Sequence, residues 1–192
     1  MNLPTATGDW ALPQYRDYLR LLVRLQISPR LQSKLDASDI VQQAMLQAHE
    51  NRGQFRGHTE QEWLAWLRVI LANTLAMTLR RFSTEARDLA RERNLLRDIE
   101  QSSSRVECFL AADQTSPSGK ALRNEELLAL ATAINTLPED QRRVIELHHL
   151  QGLPVSEVAE LLDRSRPAVV GLLFRGLKKL RVALRGSTGD PE

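Results

Sequence analysis

Six cationic side chains fall between Arg164 and Arg181, in the stretch RSRPAVVGLLFRGLKKLR, with no acidic residue among them. Guanidinium and ammonium groups at this density suit phosphate binding, and arginine can also read base edges. The clustering matters because the formal net charge of the 192-residue chain is only +2, too small for a global field. A solvated cationic face on a structural helix would carry the same charges. The elements that position these side chains must decide between the two readings.

The spacing predicts a helix from about Pro154 to Leu162, with Pro154 in the first turn, where its missing N–H is tolerated. A second helix follows after LDRS, a connection of the length found in a helix-turn-helix unit. Such a unit needs a small residue at the helix crossing, and Ala159 stands there. Four residues later the turn needs left-handed backbone, which Asp163 is among the few non-glycine residues to tolerate. Val158, Leu161, Val169 and Leu172 are expected to close the core between the helices. On a wheel of ~100° per residue, Val169, Leu172, Leu173, Gly176, Leu177 and Leu180 fall inside. Pro167, Ala168, Gly171, Arg175, Lys178 and Arg181 fall outside, with Lys179 at the margin. Pro167 starts the helix, while Ala168 and Gly171 keep its outer face narrow, the shape a major groove admits. Arg164, Ser165 and Arg166 form the leading edge, and Arg175, Lys178 and Lys179 lie further back, suited to phosphates.

Two more helices precede this pair, one over Glu125–Asn135 and one from Pro138 to Gly152, whose first turn carries Glu139 and Asp140. Nearer the N-terminus, YRDYLRLLVRLQI reads as an amphipathic helix ended near Pro29. DASDIVQQAMLQAHE places Ile40, Val41, Ala44, Met45 and Ala48 on one stripe, with Asp39, Gln42, Gln43 and Gln47 opposite and Asp36 or Ser38 as N-cap. A further helix, EWLAWLRVILANTLAMTLRRF, sets Trp63, Trp66, Leu67, Ile70 and Leu71 on a stripe and closes on Arg80 and Arg81. Between 83 and 120 the chain turns charged and polar, and QSSSR and DQTSPSGK read as loop signals. TEARDLARERNLLRDIE within it suits a solvated helix. The fold class expected is all-α, with two small helical domains over 10–82 and 121–185 joined by a linker over 83–120.

Several function classes are disfavoured. A single cysteine, Cys108, forms no intramolecular disulfide, and no CxxC or HExxH spacing offers a metal site. No nucleophile elbow or phosphate-binding glycine loop is present, so neither an enzyme nor a cofactor is expected. The adjacent His148 and His149 do not share a helix face and read as surface or capping residues. MNLPTATGDWALPQYRDYLR lacks the continuous apolar core of a signal peptide, and no run approaches the ~18 apolar residues of a membrane span. A cytoplasmic protein with no membrane partner is expected.

Taken together, LDASDIVQQAMLQAHENRGQFRG, WLRVILANTLAMTLRR and LPEDQRRVIELHHLQGLPVSEVAELLDRSRPAVVGLLFRGLKKLR resemble bacterial RNA polymerase sigma factors, in particular the compact extracytoplasmic-function (ECF) group. The resemblance spans about Tyr15 to Phe82 and Glu125 to Leu184. It implies that the first domain, sigma region 2, binds the clamp helices of the polymerase largest subunit through Asp36, Asp39, Gln42 and Gln43. Without the second domain, the same residues would read as caps and solvated glutamines. It implies further that region 2 opens the minus-10 element and captures a flipped base through Phe55, Arg56, Trp63, Asn73, Arg80 and Arg81. Trp63 and Trp66 lie on an apolar stripe, where aromatics commonly belong to a core, so the stacking and core readings of Trp63 stand side by side. The second domain is similar to sigma region 4, which reads the minus-35 element. This assigns Arg164, Ser165, Arg166, Ala168, Arg175, Lys178 and Lys179 to DNA, and Arg142 and Arg143 to phosphates. The partners implied are core RNA polymerase, with its flap tip on region 4, and promoter DNA; the resemblance also admits an anti-sigma factor. The alternative is an autonomous helix-turn-helix regulator, whose dimer would favour palindromic half-sites about one helical turn apart.

Overall fold

A computed structural model describes residues 10–27, 35–82, 89–112 and 120–187. Every regular element among them is helical: α1 (Arg16–Gln26), α2 (Ala37–Glu50), α3 (Glu60–Phe82), α4 (Leu89–Ala112), α5 (Lys120–Thr136), α6 (Glu139–Ile145), α7 (Val155–Leu161) and α8 (Arg166–Ser187), with short 3-10 turns at Leu12–Tyr15 and Arg52–Gln54. The all-α expectation holds. No helix among the described residues is long and apolar enough to cross a membrane. The chain divides into two compact units between Gln101 and Ser102.

In the first unit α2 packs against α1 and α3, and α1 against α3. Tyr15, Tyr18, Leu19, Leu21, Leu22 and Val23 are buried on α1 and its leading turn, facing Ile40, Val41, Ala44 and Ala48 of α2 and Leu67, Leu71 and Leu75 of α3 in one core. Each such aliphatic burial contributes about 1.5–3 kcal/mol. The N-cap of α2 is Asp36, whose Oδ1 accepts from the Ser38 N–H at 2.8 Å. Gln47, expected on the solvated face, instead accepts the Thr74 hydroxyl at 3.0 Å and ties α2 to α3. Pro29 lies outside the described residues.

In the second unit α8 packs on α5, α6 and α7. The helix expected from Pro138 to Gly152 is not uniform. It is α-helical to Ile145 and widens into a π-helical turn over Glu146–Leu150, closed by Gln151 N–H to Glu146 O at 2.9 Å and released by Gly152 at φ 78°. The histidine pair sits on this turn, half-buried rather than on the surface. His148 Nδ1 donates to Leu153 O at 2.7 Å, and the His149 ring lies 5.3 Å from that of Phe109.

The stretch over 83–120 contains α4, and QSSSR is part of it. Ile99, Ser102, Ser103, Val106 and Leu110 recur at helical spacing and are all buried. Two of these are small polar residues, so the apolar stripe was hidden behind what reads as a loop signal. The Ser103 hydroxyl donates to Glu107 Oε1 at 3.1 Å. TEARDLARERNLLRDIE is thus not a wholly solvated helix where it is described, since Leu95 and Ile99 are buried.

Candidate nucleic-acid interface

The turn between α7 and α8 is built by its backbone. Leu162 N–H donates to Val158 O at 3.1 Å, Asp163 N–H to Glu160 O at 3.3 Å and Arg164 N–H to Ala159 O at 2.9 Å. The last two bonds form a Schellman motif, which requires a left-handed residue, and Asp163 adopts φ 50°. Ala159 is buried at the crossing. Ser165 then starts α8: its carbonyl accepts from Val169 N–H at 3.1 Å and its Oγ from Ala168 N–H at 3.3 Å. Val158 and Val169 are fully buried, whereas Leu161 is 52% exposed and does not join the small core as expected.

Gly176 lies on the packed side of α8. A Cβ built there would stand 2.7 Å from Ile145 Cδ1, so glycine lets α8 approach α6. Outward, Arg166, Ala168, Arg175, Lys178 and Lys179 are all exposed, and a Cβ at Gly171 would meet only the guanidinium of Arg175, at 3.3 Å. Arg164 Nη2 donates to Asp140 Oδ2 at 3.2 Å, with both side chains about half exposed. Arg142 is engaged elsewhere. Its Nη1 donates to Leu137 O at 3.5 Å, and its Nε lies 4.0 Å from the buried carboxylate of Glu146. Arg142 and Arg143, both expected to contact phosphate, are half-buried.

In the first unit, the loop between α2 and α3 is fixed from both sides. Thr59 and Glu62 form a capping box: Glu62 N–H donates to Thr59 Oγ1 at 3.2 Å, while Glu62 Oε2 accepts from the N–H groups of His58 at 2.8 Å and Thr59 at 3.0 Å. Those backbone donors hold the Glu62 carboxyl below the usual carboxylate range. Arg56, exposed, donates from Nη1 to Gly53 O at 2.7 Å. Phe55 is half-buried, 5.0 Å from the Trp63 ring and 5.5 Å from that of Trp66. A Cβ on Gly57 would overlap the Phe55 ring, so the loop closes down on it. Trp63 is at 0% exposure, enclosed by the rings of Phe55, Trp66 and Trp10, so of its two expected readings the core one describes the free protein. Trp66 is the half-exposed member. It begins a face of α3 that continues through Val69, Asn73, Met77 and Arg80 at helical spacing, the last four all exposed. The Arg81 side chain lies outside the described part.

Two family models match the chain, Sigma-70 region 2 over residues 14–92 and Sigma-70, region 4 over residues 127–180. The ECF RNA polymerase sigma-E factor of Haemophilus influenzae is 30% identical over 146 residues, covering 76% of this chain and 73% of that protein. This chain belongs to the ECF sigma factors. The RNA polymerase sigma-H factor of Pseudomonas aeruginosa is 27% identical over 78% of this chain and 74% of its own length. The probable RNA polymerase sigma factor RfaY of Xanthomonas campestris is 32% identical, and the match spans 76% of this chain but 33% of that protein. A solved structure of the sigma factor RpoE in complex with the anti-sigma factor NepR from Bartonella quintana shares 18% identity over 91% of this chain and 94% of that one, with a TM-score of 0.34.

The sigma factor therefore acts with RNA polymerase at promoters, as a regulatory subunit. Of the residues assigned to its region 2, Asp39, Gln42 and Gln43 lie exposed together on α2, while Asp36 is occupied as the helix cap. Sequence reasoning missed the apolar members of these surfaces. Leu46, 50% exposed, continues the Asp39–Gln42–Gln43 face by one turn, and Val170 and Phe174 stand out from α8, Phe174 at 70%. The wheel placed neither Val170 nor Phe174, because only the buried apolar stripe and the cationic face were followed along it.

Proposed function

We propose that the α2 face of Asp39, Gln42, Gln43 and Leu46 seats the first unit on the polymerase clamp helices, and that Arg56, Asn73 and Arg80 meet the minus-10 element. The second unit reads the minus-35 element with α8. Arg166, Ala168 and Gly171 enter the major groove, and Arg175, Lys178 and Lys179 hold phosphates. The observation carrying this reading is the Asp163 turn, because it delivers a helix with a narrow, cationic outer face directly after a short supporting helix. The Arg164–Asp140 pair is a surface pair, worth about 0–1 kcal/mol, so Arg164 can exchange Asp140 for a phosphate at little cost. Val170 and Phe174 suit the methyl groups of thymine, the apolar feature of the major groove. The exposed Leu161 offers apolar surface to the flap tip, and an anti-sigma factor is a further partner in keeping with the family. The protein works in the cytoplasm and supplies no chemistry of its own, since the polymerase performs synthesis.

The test adds purified protein to core RNA polymerase on a promoter library. Core-dependent initiation at a defined sequence pair is expected. Failure to co-purify with core, together with random initiation, would overturn the reading. An autonomous regulator would instead bind palindromic sites without polymerase.

A further inference from the structure

The wall formed by Phe55, Trp63 and Trp66 is covered by a fourth ring. Trp10 lies 6.0 Å from Trp63, tilted by 33°, and 6.2 Å from Phe55, edge-on at 78°. The other members are held by the fold. Trp63 and Trp66 belong to α3 and stack at 4.9 Å, and Phe55 is pinned beneath Gly57. Trp10 belongs to no helix. It precedes the Leu12–Tyr15 turn, is half-exposed, and makes both of its ring contacts at the long end of the aromatic range. Beneath it, Trp63 carries an unmet requirement: Nε1 is buried with no acceptor among the described residues. A buried indole N–H ordinarily finds a partner. Cations flank the same wall, with the Arg52 guanidinium 5.5 Å from the Trp63 ring centroid and Arg56 exposed nearby. Flat aromatic surface, an unpaired donor and adjacent cations together fit an unstacked nucleobase with its phosphate.

We propose that Trp10 is a displaceable cover over a nucleobase-stacking site. In the free protein it occupies the place that a base of single-stranded promoter DNA takes in the complex. This rests on the reading of region 2 as the unit that meets the opened minus-10 strand, and it adds what controls entry there. It also accounts for the full burial of Trp63 in a protein whose neighbouring loop and α3 face are exposed. Closed and open states compete, so the affinity for an unstacked base is reduced by the closed fraction.

The test uses holoenzyme reconstituted from the full chain and core polymerase, with a fluorescent forked duplex bearing a randomised single-stranded tail of about ten nucleotides. Affinity is measured by anisotropy, and side-chain exposure by hydroxyl-radical footprinting read by mass spectrometry. Trp10→Ala should bind the fork roughly tenfold more tightly, and Trp10→Phe, which keeps a ring in place, should stay near wild type. In wild type, DNA should increase oxidation of Trp10 while Trp63 stays protected. Weaker binding by Trp10→Ala would make Trp10 a direct stacking partner and overturn the cover. Unchanged binding with unchanged Trp10 oxidation would overturn it too, leaving a structural ring. Should Trp10→Ala misfold, the wild-type footprint and Trp10→Phe still decide. Asn73→Ala separates the two levels: a loss of fork binding there upholds the region 2 reading even if Trp10 is inert. Fork binding that is indifferent to Asn73, Arg80 and Trp10 alike would overturn both.

Discussion

Replacing Gly176 with alanine should weaken the second unit for a reason confined to one contact. The new Cβ would stand 2.7 Å from Ile145 Cδ1, against 3.5 Å from Ile145 Cγ1 and from Gln141 Cβ. Carbon atoms prefer separations of about 3.5–4.0 Å, so only the Cδ1 contact is short, by about 1 Å. Ile145 is fully buried with χ1 fixed by its branching, so Cδ1 can yield only by rotating χ2 into a close-packed core. Overpacking of this kind costs about 1–3 kcal/mol, and alanine returns up to about 1 kcal/mol of helix propensity over glycine. A net loss of about 1 kcal/mol is expected. Ile145→Val deletes the offending atom and alone costs about 0.5–1.5 kcal/mol. In that background Gly176→Ala should reverse sign and stabilise by about 1 kcal/mol through propensity alone. Urea unfolding of the four proteins, with amide exchange in α6 and α8 to isolate this unit, gives the coupling energy directly. The same effect of Gly176→Ala in both backgrounds would refute the close crossing as the reason for glycine.

Further outcomes follow from other sites. Gly171→Ala, whose Cβ meets only the Arg175 guanidinium, should leave stability unchanged or slightly raised while weakening minus-35 use, measured by melting and by promoter binding of the holoenzyme. Lys178→Ala should lower the salt slope of promoter binding by about one unit and weaken all sequences about equally, whereas Arg166→Ala should relax sequence preference, as competition with mismatched sites would show. Asp39→Ala should impair co-purification with core, while Asp36→Ala should chiefly cost the helix cap, about 0.5–2 kcal/mol of stability. Burial, and secondly the neighbouring His148, lower the His149 pKa, so in acid the unfolded chain binds the extra proton. Stability contributed there is present above the ordinary histidine range near pH ~6.5 and is lost as pH falls through the lower folded value. Melting of the second unit should therefore weaken in acid, and His149→Gln should flatten that dependence.

How far the fold could be read from the chain depended on whether each device was written in side chains or in backbone. The helix-turn-helix was legible because its parts are chemically narrow: a small residue at Ala159, a left-handed tolerance at Asp163 and a cationic run free of acids. Packing partners were not legible. Arg142 read as a phosphate contact, yet it lies half-buried beside Glu146, which the π-helical turn buries, and no hydrophobic period announces a π turn. Ser102 and Ser103 were misleading for the opposite reason, since small polar residues can complete a buried stripe once Ile99, Val106 and Leu110 define it. Trp63 and Trp66 show the limit most clearly. Both lie on one stripe at helical spacing, and no local rule distinguishes the ring that is buried from the ring that is half-exposed. What distinguishes them is Trp10 and Tyr15, fifty-three and forty-eight residues before Trp63, whose rings pack against its ring. A site assembled from a loop, a helix and an irregular N-terminal segment becomes visible only when those three meet, and for that reason the cover, rather than the basic helix, is where the structure adds most to the sequence.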